Sequence, residues 1–134
     1  MLAIVLLLCV AGAEEISGAN HGLLREGCWL VRFYAPWCGA CKNSNETWFQ
    51  CKELKELRFG CRFAEVDVDK NVMLAETFGV RHIPSYFVLN QEGMCRWPGD
   101  TPFSPSSFAE FHHGCAPDSS TFESGLLRDP RSIV

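Results

Sequence analysis

One stretch, Cys28-Trp29-Leu30-Val31-Arg32-Phe33-Tyr34, constrains what this chain can fold into more than any other. It is a dense apolar and aromatic run, the pattern of a parallel strand buried on both faces. Ala35-Pro36-Trp37 breaks it. A helical stretch rich in Lys, Glu, Trp and Leu then runs from Cys38 to about Leu57, with Gly60 as its C-terminal stop. A covered strand passing directly into a helix implies a layered α/β domain.

The remaining segments complete that pattern. Glu14 to Gly27 reads as a brief strand and a helix around Asn20 to Arg25. Cys61 to Val68 reads as a second long strand, and Asn71 to Phe78 as a short helix closed by Gly79. Ser85 to Leu89 is a third long strand, preceded by Ile83-Pro84. Asn90 to Gly93 forms a turn and Met94 to Trp97 completes a hairpin. Pro105 to His113 forms a last helix, with Ser104 or Ser106 near its start. The order predicts a mixed central sheet with helices on both faces.

The ends are of a different character. Leu2 to Val10 is unbroken apolar sequence followed by Ala11-Gly12-Ala13, which reads as a signal peptide over 1–13. The alternative is a buried first element of the domain. The run is too short to span a bilayer, which takes about 20 apolar residues, and no second run is long enough. Residues 116–134, rich in Ser, Asp and Pro, read as a flexible tail, leaving one domain over 14–115. With 12 basic against 16 acidic residues and no basic stripe, nucleic acid is not an expected partner.

Eight cysteines are many for 134 residues. In an oxidising compartment they read as bridges, and removal of Cys9 with the signal leaves seven. An odd number leaves at least one thiol free or paired with another molecule. Cys38-Gly39-Ala40-Cys41 stands where the strand becomes the helix. Cysteines three apart on a first helical turn come within the roughly 4.4–6.8 Å Cα separation of a disulfide. Cys38 also faces the unpaired N–H groups and positive dipole end of the helix, which favour its thiolate, the attacking species. Cys41 is placed to resolve the mixed disulfide. The same spacing also serves as half of a zinc site, completed by His112 or His113 with Cys115.

The segment Phe33-Tyr34-Ala35-Pro36-Trp37-Cys38-Gly39-Ala40-Cys41-Lys42 resembles the active-site segment of the protein disulfide isomerase family. Ala40 makes it similar to the thioredoxin-related transmembrane proteins within that family. Ile83-Pro84-Ser85 matches the family's cis-proline loop, and Val66-Asp67-Val68-Asp69 its middle strand. The resemblance spans Ile16 to Cys115 and implies a thioredoxin fold with dithiol exchange chemistry. It further implies that Trp37, Ile83 and Pro84 contact an extended client. Pro84 would be cis and lie against Cys38–Cys41; read without the family, it is an ordinary trans turn proline, and only the family match implies cis. No cofactor or metal is implied. The partners are client proteins with thiols or disulfides and a thiol electron donor, in the endoplasmic reticulum lumen or outside the cell.

Three departures from the family bear on chemistry. Where the family buries an acid before the inner cysteine, this chain has Arg32, and where it has the partner lysine, this chain has Glu65. The resemblance thus implies a pair with exchanged signs, Glu65 opposite Arg32 on the face shared by Leu30, Arg32 and Tyr34, with Glu65 a candidate proton acceptor for Cys41. If both are buried, each needs the other, whereas an Arg32 that reaches solvent needs no partner. The arginine expected after Trp97-Pro98-Gly99 is replaced by Asp100-Thr101. Gly39-Ala40 lacks the histidine of strongly oxidising sites, which points to a potential of roughly −180 to −270 mV and to a reductase or isomerase. A client-binding module of the same fold that does not turn over is the alternative function.

Two further expectations concern side chains. Cys28 lies four before Arg32 and Cys61 four before Glu65, so the shared register brings the cysteines together on one face. A bond between them competes with Cys51–Cys61 and with free thiols. Asn45-Glu46-Thr47 is an N-glycosylation sequon, but Asn45 shares a helical stripe with Cys41 and Trp48 and is expected to face inward.

Overall fold

A computed structural model describes residues 13–17, 20–54, 57, 60–99 and 102–115. The strands are β1 (Glu14–Glu15), β2 (Cys28–Tyr34), β3 (Cys61–Asp67), β4 (Ser85–Asn90) and β5 (Gly93–Arg96). The helices are α1 (Gly39–Glu53), α2 (Val72–Thr77) and α3 (Pro105–Gly114), with a 3-10 turn over His21–Arg25. The sheet order is β1-β3-β2-β4-β5. β3 runs parallel to both β1 and β2, while β4 is antiparallel to β2 and β5. This is the thioredoxin fold. Among the described residues no helix is long and apolar enough to cross a membrane.

The two faces follow from strand parity. Trp29, Val31 and Phe33 point to one side, where they pack with Val66, Phe78, Phe87 and Leu89. Leu30 points to the other, toward Trp48 of α1, Phe63, Val88 and Phe108 of α3. Burying each such side chain contributes about 1.5–3 kcal/mol, so β2, covered on both faces, anchors the sheet. The register is the one implied by taking Arg32 and Glu65 as the family's cross-strand pair: Cys28 faces Cys61 and Arg32 faces Glu65.

Three bridges and one free thiol account for the cysteines among the described residues. Cys28 bonds to Cys61, Cys38 to Cys41 and Cys95 to Cys115, while Cys51 is free and buried. The competing Cys51–Cys61 pairing is therefore not formed. Ser104 caps α3 with a reciprocal capping box to Ser107, and Pro105 occupies the first turn.

Helix α1 ends sooner than its composition suggests. Leu54 is already extended at φ −70° and ψ 123°, and its N–H closes the helix on the Gln50 and Cys51 carbonyls. Leu57, just beyond this break, is again helical and fully buried, and its N–H donates to the Leu54 carbonyl. The proposed signal at 1–13 falls, apart from Ala13, outside the described residues, as do Asp100-Thr101 and the tail from 116.

Candidate active site

The site is assembled where β2 stops. Ala35 to Trp37 carry the chain from the sheet edge into α1, and Cys38 is the N-cap of that helix. The Cys41 backbone N–H donates to Cys38 Sγ at 3.1 Å, so one of the helix's unpaired donors is aimed at the sulfur. The Cα atoms are 5.2 Å apart, within the disulfide range. Both cysteines are buried, in a small cluster with Ala35.

A second loop closes over them. The Ile83–Pro84 bond is cis, as the family resemblance implied, so Pro84 is not an ordinary trans turn proline. The Ile83 carbonyl oxygen lies 3.8 Å from Cys38 Sγ, and Ile83 packs against the cysteine cluster. Trp37 stands in solvent, 67% exposed, with its indole N–H donating to Asp69 at 2.5 Å. Sequence reasoning did not single out Asp69 for this contact; its place just beyond the middle strand was the available signal.

Beside the pair lies an open cleft of about 560 Å³ lined by Arg32, Cys41, Asn45, Trp48, Lys52 and Glu65, among others. Arg32 is 4% exposed, so it does not reach for solvent. It forms no ion pair with Glu65 either: the two stand opposite as expected, but the expected ion pair between them is not made, and Glu65 pairs with Lys52 instead. Its Nη2 donates to the Cys41 carbonyl at 2.7 Å and to Asn45 Oδ1 at 2.6 Å, and its guanidinium lies 5.6 Å from the Tyr34 ring centre. Glu65 accepts from the Trp48 indole N–H at 2.7 Å and sits 3.9 Å from the Lys52 ammonium.

The cause is helical spacing. Cys41, Asn45, Trp48 and Lys52 recur every three to four residues and form the stripe that α1 lays on the sheet. Arg32 meets the first half of that stripe and Glu65 the second. Arg32 thus sits at the backbone of the inner cysteine, while Glu65 is engaged further along. Asn45 departs from expectation as well: its carbonyl oxygen reaches Arg32, but the residue as a whole is exposed. The sequence placed Asn45 on the stripe shared with Cys41 but did not name Arg32 as its partner.

Nearby titratable groups have definite states. Burial, reinforced by its hydrogen bond to Glu15, pushes the Tyr34 hydroxyl up to about 12, so it keeps its proton at neutral pH. Burial likewise pushes the Cys51 thiol up to about 12. The zinc arrangement suggested by sequence does not assemble: Cys115 is bonded to Cys95, and His112 Nε2 lies 3.6 Å from Cys61 Sγ.

Comparison with known proteins agrees with this geometry. Residues 19–99 match the family model described as Thioredoxin. Protein disulfide-isomerase TMX3 of Mus musculus is 29% identical over 115 residues, covering 83% of this chain and 25% of that protein. Thioredoxin-related transmembrane protein 1 of Homo sapiens is 31% identical over 101 residues, covering 75% of this chain and 35% of its own length. The chain therefore spans about a quarter to a third of these curated relatives. Among solved structures, the Trx4 domain of ERdj5 superposes with a TM-score of 0.68 at 19% identity, over 77% of this chain and 94% of that one.

Proposed function

Since this chain belongs to the thioredoxin family, we propose that it is a thiol–disulfide oxidoreductase acting on protein disulfides in the secretory pathway, as a reductase or isomerase. The observation that carries the reading is the Cys41 N–H aimed at Cys38 Sγ at a helix N-terminus, next to a cis Ile83–Pro84 bond. The domain is residues 14–115, exported by a signal at 1–13 and followed by a tail from 116, and it works in the endoplasmic reticulum lumen or outside the cell.

In the reductive direction, the Cys38 thiolate attacks one sulfur of a client disulfide, and the other client sulfur leaves as a thiolate and takes a proton. The Cys41 thiolate then attacks Cys38 Sγ and releases the second client sulfur. Two electrons pass from the dithiol to the client, and Cys38–Cys41 ends as the disulfide seen here. A thiol electron donor restores the dithiol. Trp37 and the Ile83–Pro84 loop flank the reacting sulfur and form the client contact. Arg32 donates to the Cys41 carbonyl and so positions the resolving residue. Glu65, tied to Trp48 and Lys52, has the role of placing the Trp48 end of that stripe rather than of taking the Cys41 proton.

The second reading is a client-binding module that does not turn over, favoured by a buried guanidinium rather than a carboxylate at Cys41. An insulin-reduction assay separates the two. Turnover supports the oxidoreductase, with a Cys38–Cys41 potential of roughly −180 to −270 mV. Client binding without turnover overturns it.

A further inference from the structure

The sheet carries another cysteine pair at its opposite end. Cys28 opens β2 and Cys61 opens β3, and the two are direct register partners, bonded to each other with Cα atoms 4.5 Å apart. Cys38 lies beyond the other end of β2, roughly 20 Å away at about 3.3 Å per residue. The two pairs therefore cannot exchange with each other within one molecule.

The surroundings of the Cys28–Cys61 bond are asymmetric. Cys61 is buried, while Cys28 is the less covered of the two. His112 of α3 brings Nε2 to 3.6 Å from Cys61 Sγ, and its Nδ1 is buried with no hydrogen-bond partner. A neutral imidazole has one N–H and one lone pair. Leaving a buried donor without an acceptor is the costlier choice, so the proton belongs on Nε2, directed at the sulfur.

We propose that Cys28–Cys61 is a second thiol-exchange site, where an external thiol attacks Cys28 and Cys61 departs as a thiolate held by His112. Exchange runs faster when the departing thiol is the more acidic one, and a hydrogen-bond donor beside a sulfur stabilises its thiolate. His112 selects Cys61 as the leaving sulfur, and the lower coverage of Cys28 opens the complementary line of attack. The incoming thiolate forms a bond to Cys28 Sγ as the Cys28–Cys61 bond breaks, with the electron pair going to Cys61. A second external thiol attacks the incoming sulfur, forms the external disulfide and frees Cys28. In all, two electrons enter the pair from two thiols, and both cysteines end as thiols once protonated. The nucleophile comes from outside, because Cys51, the free thiol among the described residues, is buried and holds its proton.

The test uses the full chain carrying Cys38→Ser and Cys41→Ser, so that its result is independent of the first site. Reduced glutathione is the probe, with early acid quenching and mass mapping of the mixed disulfides. The expected result is glutathione on Cys28 in about tenfold excess over Cys61, with the bridge opening faster than Cys95–Cys115. His112→Phe removes the excess, and His112→Gln, which keeps an N–H donor, retains most of it. Equal labelling, an excess on Cys61, or opening no faster than at Cys95–Cys115 overturns the proposal. If His112→Phe does not fold, the distribution in the chain with His112 intact decides alone.

Discussion

Arg32 and Glu65 are direct partners in the parallel register of β2 and β3, yet each is held by a different turn of the same helix. Arg32 is served by Cys41 and Asn45, Glu65 by Trp48 and Lys52. Neither charge depends on the other for its hydrogen bonds, which separates this arrangement from a buried ion pair.

That separation is measurable. Arg32→Ala removes a buried side chain and is expected to cost about 1–3 kcal/mol, well above the ~0.5 kcal/mol of a surface change. A double-mutant cycle with Glu65→Ala is expected to show coupling below about 0.5 kcal/mol, because neither side chain hydrogen-bonds the other. Coupling of about 3 kcal/mol in denaturant titrations would restore the ion pair.

The order of the two active cysteines predicts opposite behaviour in their variants. Cys38→Ser loses exchange altogether, since no thiolate remains to attack. Cys41→Ser keeps the attack and loses the resolution, so it accumulates mixed disulfides with clients, visible on non-reducing gels and abolished by adding Cys38→Ser. A Cys41→Ser chain that traps nothing assigns the roles wrongly.

Removing the Cys28–Cys61 bridge releases a closed loop with a sequence separation of 33 that contains the whole of α1 and its redox pair. Loop-closure entropy alone puts the cost of Cys28→Ala with Cys61→Ala near 3–4 kcal/mol. Urea titration of the double variant should show a lower midpoint with folding retained. An unchanged midpoint would mean that β2 and β3 hold their register without the bond's help.

Cys51 sets a pH dependence of known sign. Its thiol is pushed from 9.0 up to about 12 by burial, so the unfolded chain releases this proton first as pH rises. Its contribution is therefore whole below about pH 8 and is lost through the window from 9 toward 12, at no more than about 1.4 kcal/mol per pH unit. Tyr34 and Tyr86, also raised, act in the same direction, so the comparison is between the chain and Cys51→Ala. The stability advantage of the unsubstituted chain should shrink between pH 8 and pH 11. A constant difference would place Cys51 in contact with water.

What the sequence determined by itself was local and periodic. The bounds of β2, the helix start at Cys38 and a cap at Ser104 or Ser106, which the structure shows to be Ser104, are set by residues within a few positions of one another. Strand parity carried one step further: with a period of two, opposing Arg32 to Glu65 also opposes Cys28 to Cys61. The cis bond before Pro84 was legible only through the family resemblance, because the local preference of an X-Pro bond is for trans. The tertiary structure decided which side chains answer which. Asn45 reaches Arg32 because of how α1 lies across the sheet, and His112 reaches Cys61 across 51 positions because α3 packs on the same face. The end of α1 belongs here too, since Leu54 is extended although the buried Leu57 just beyond it is helical again. Backbone preference acts over a turn or a pleat, whereas a side chain's partner depends on the placement of whole elements, which no local pattern encodes.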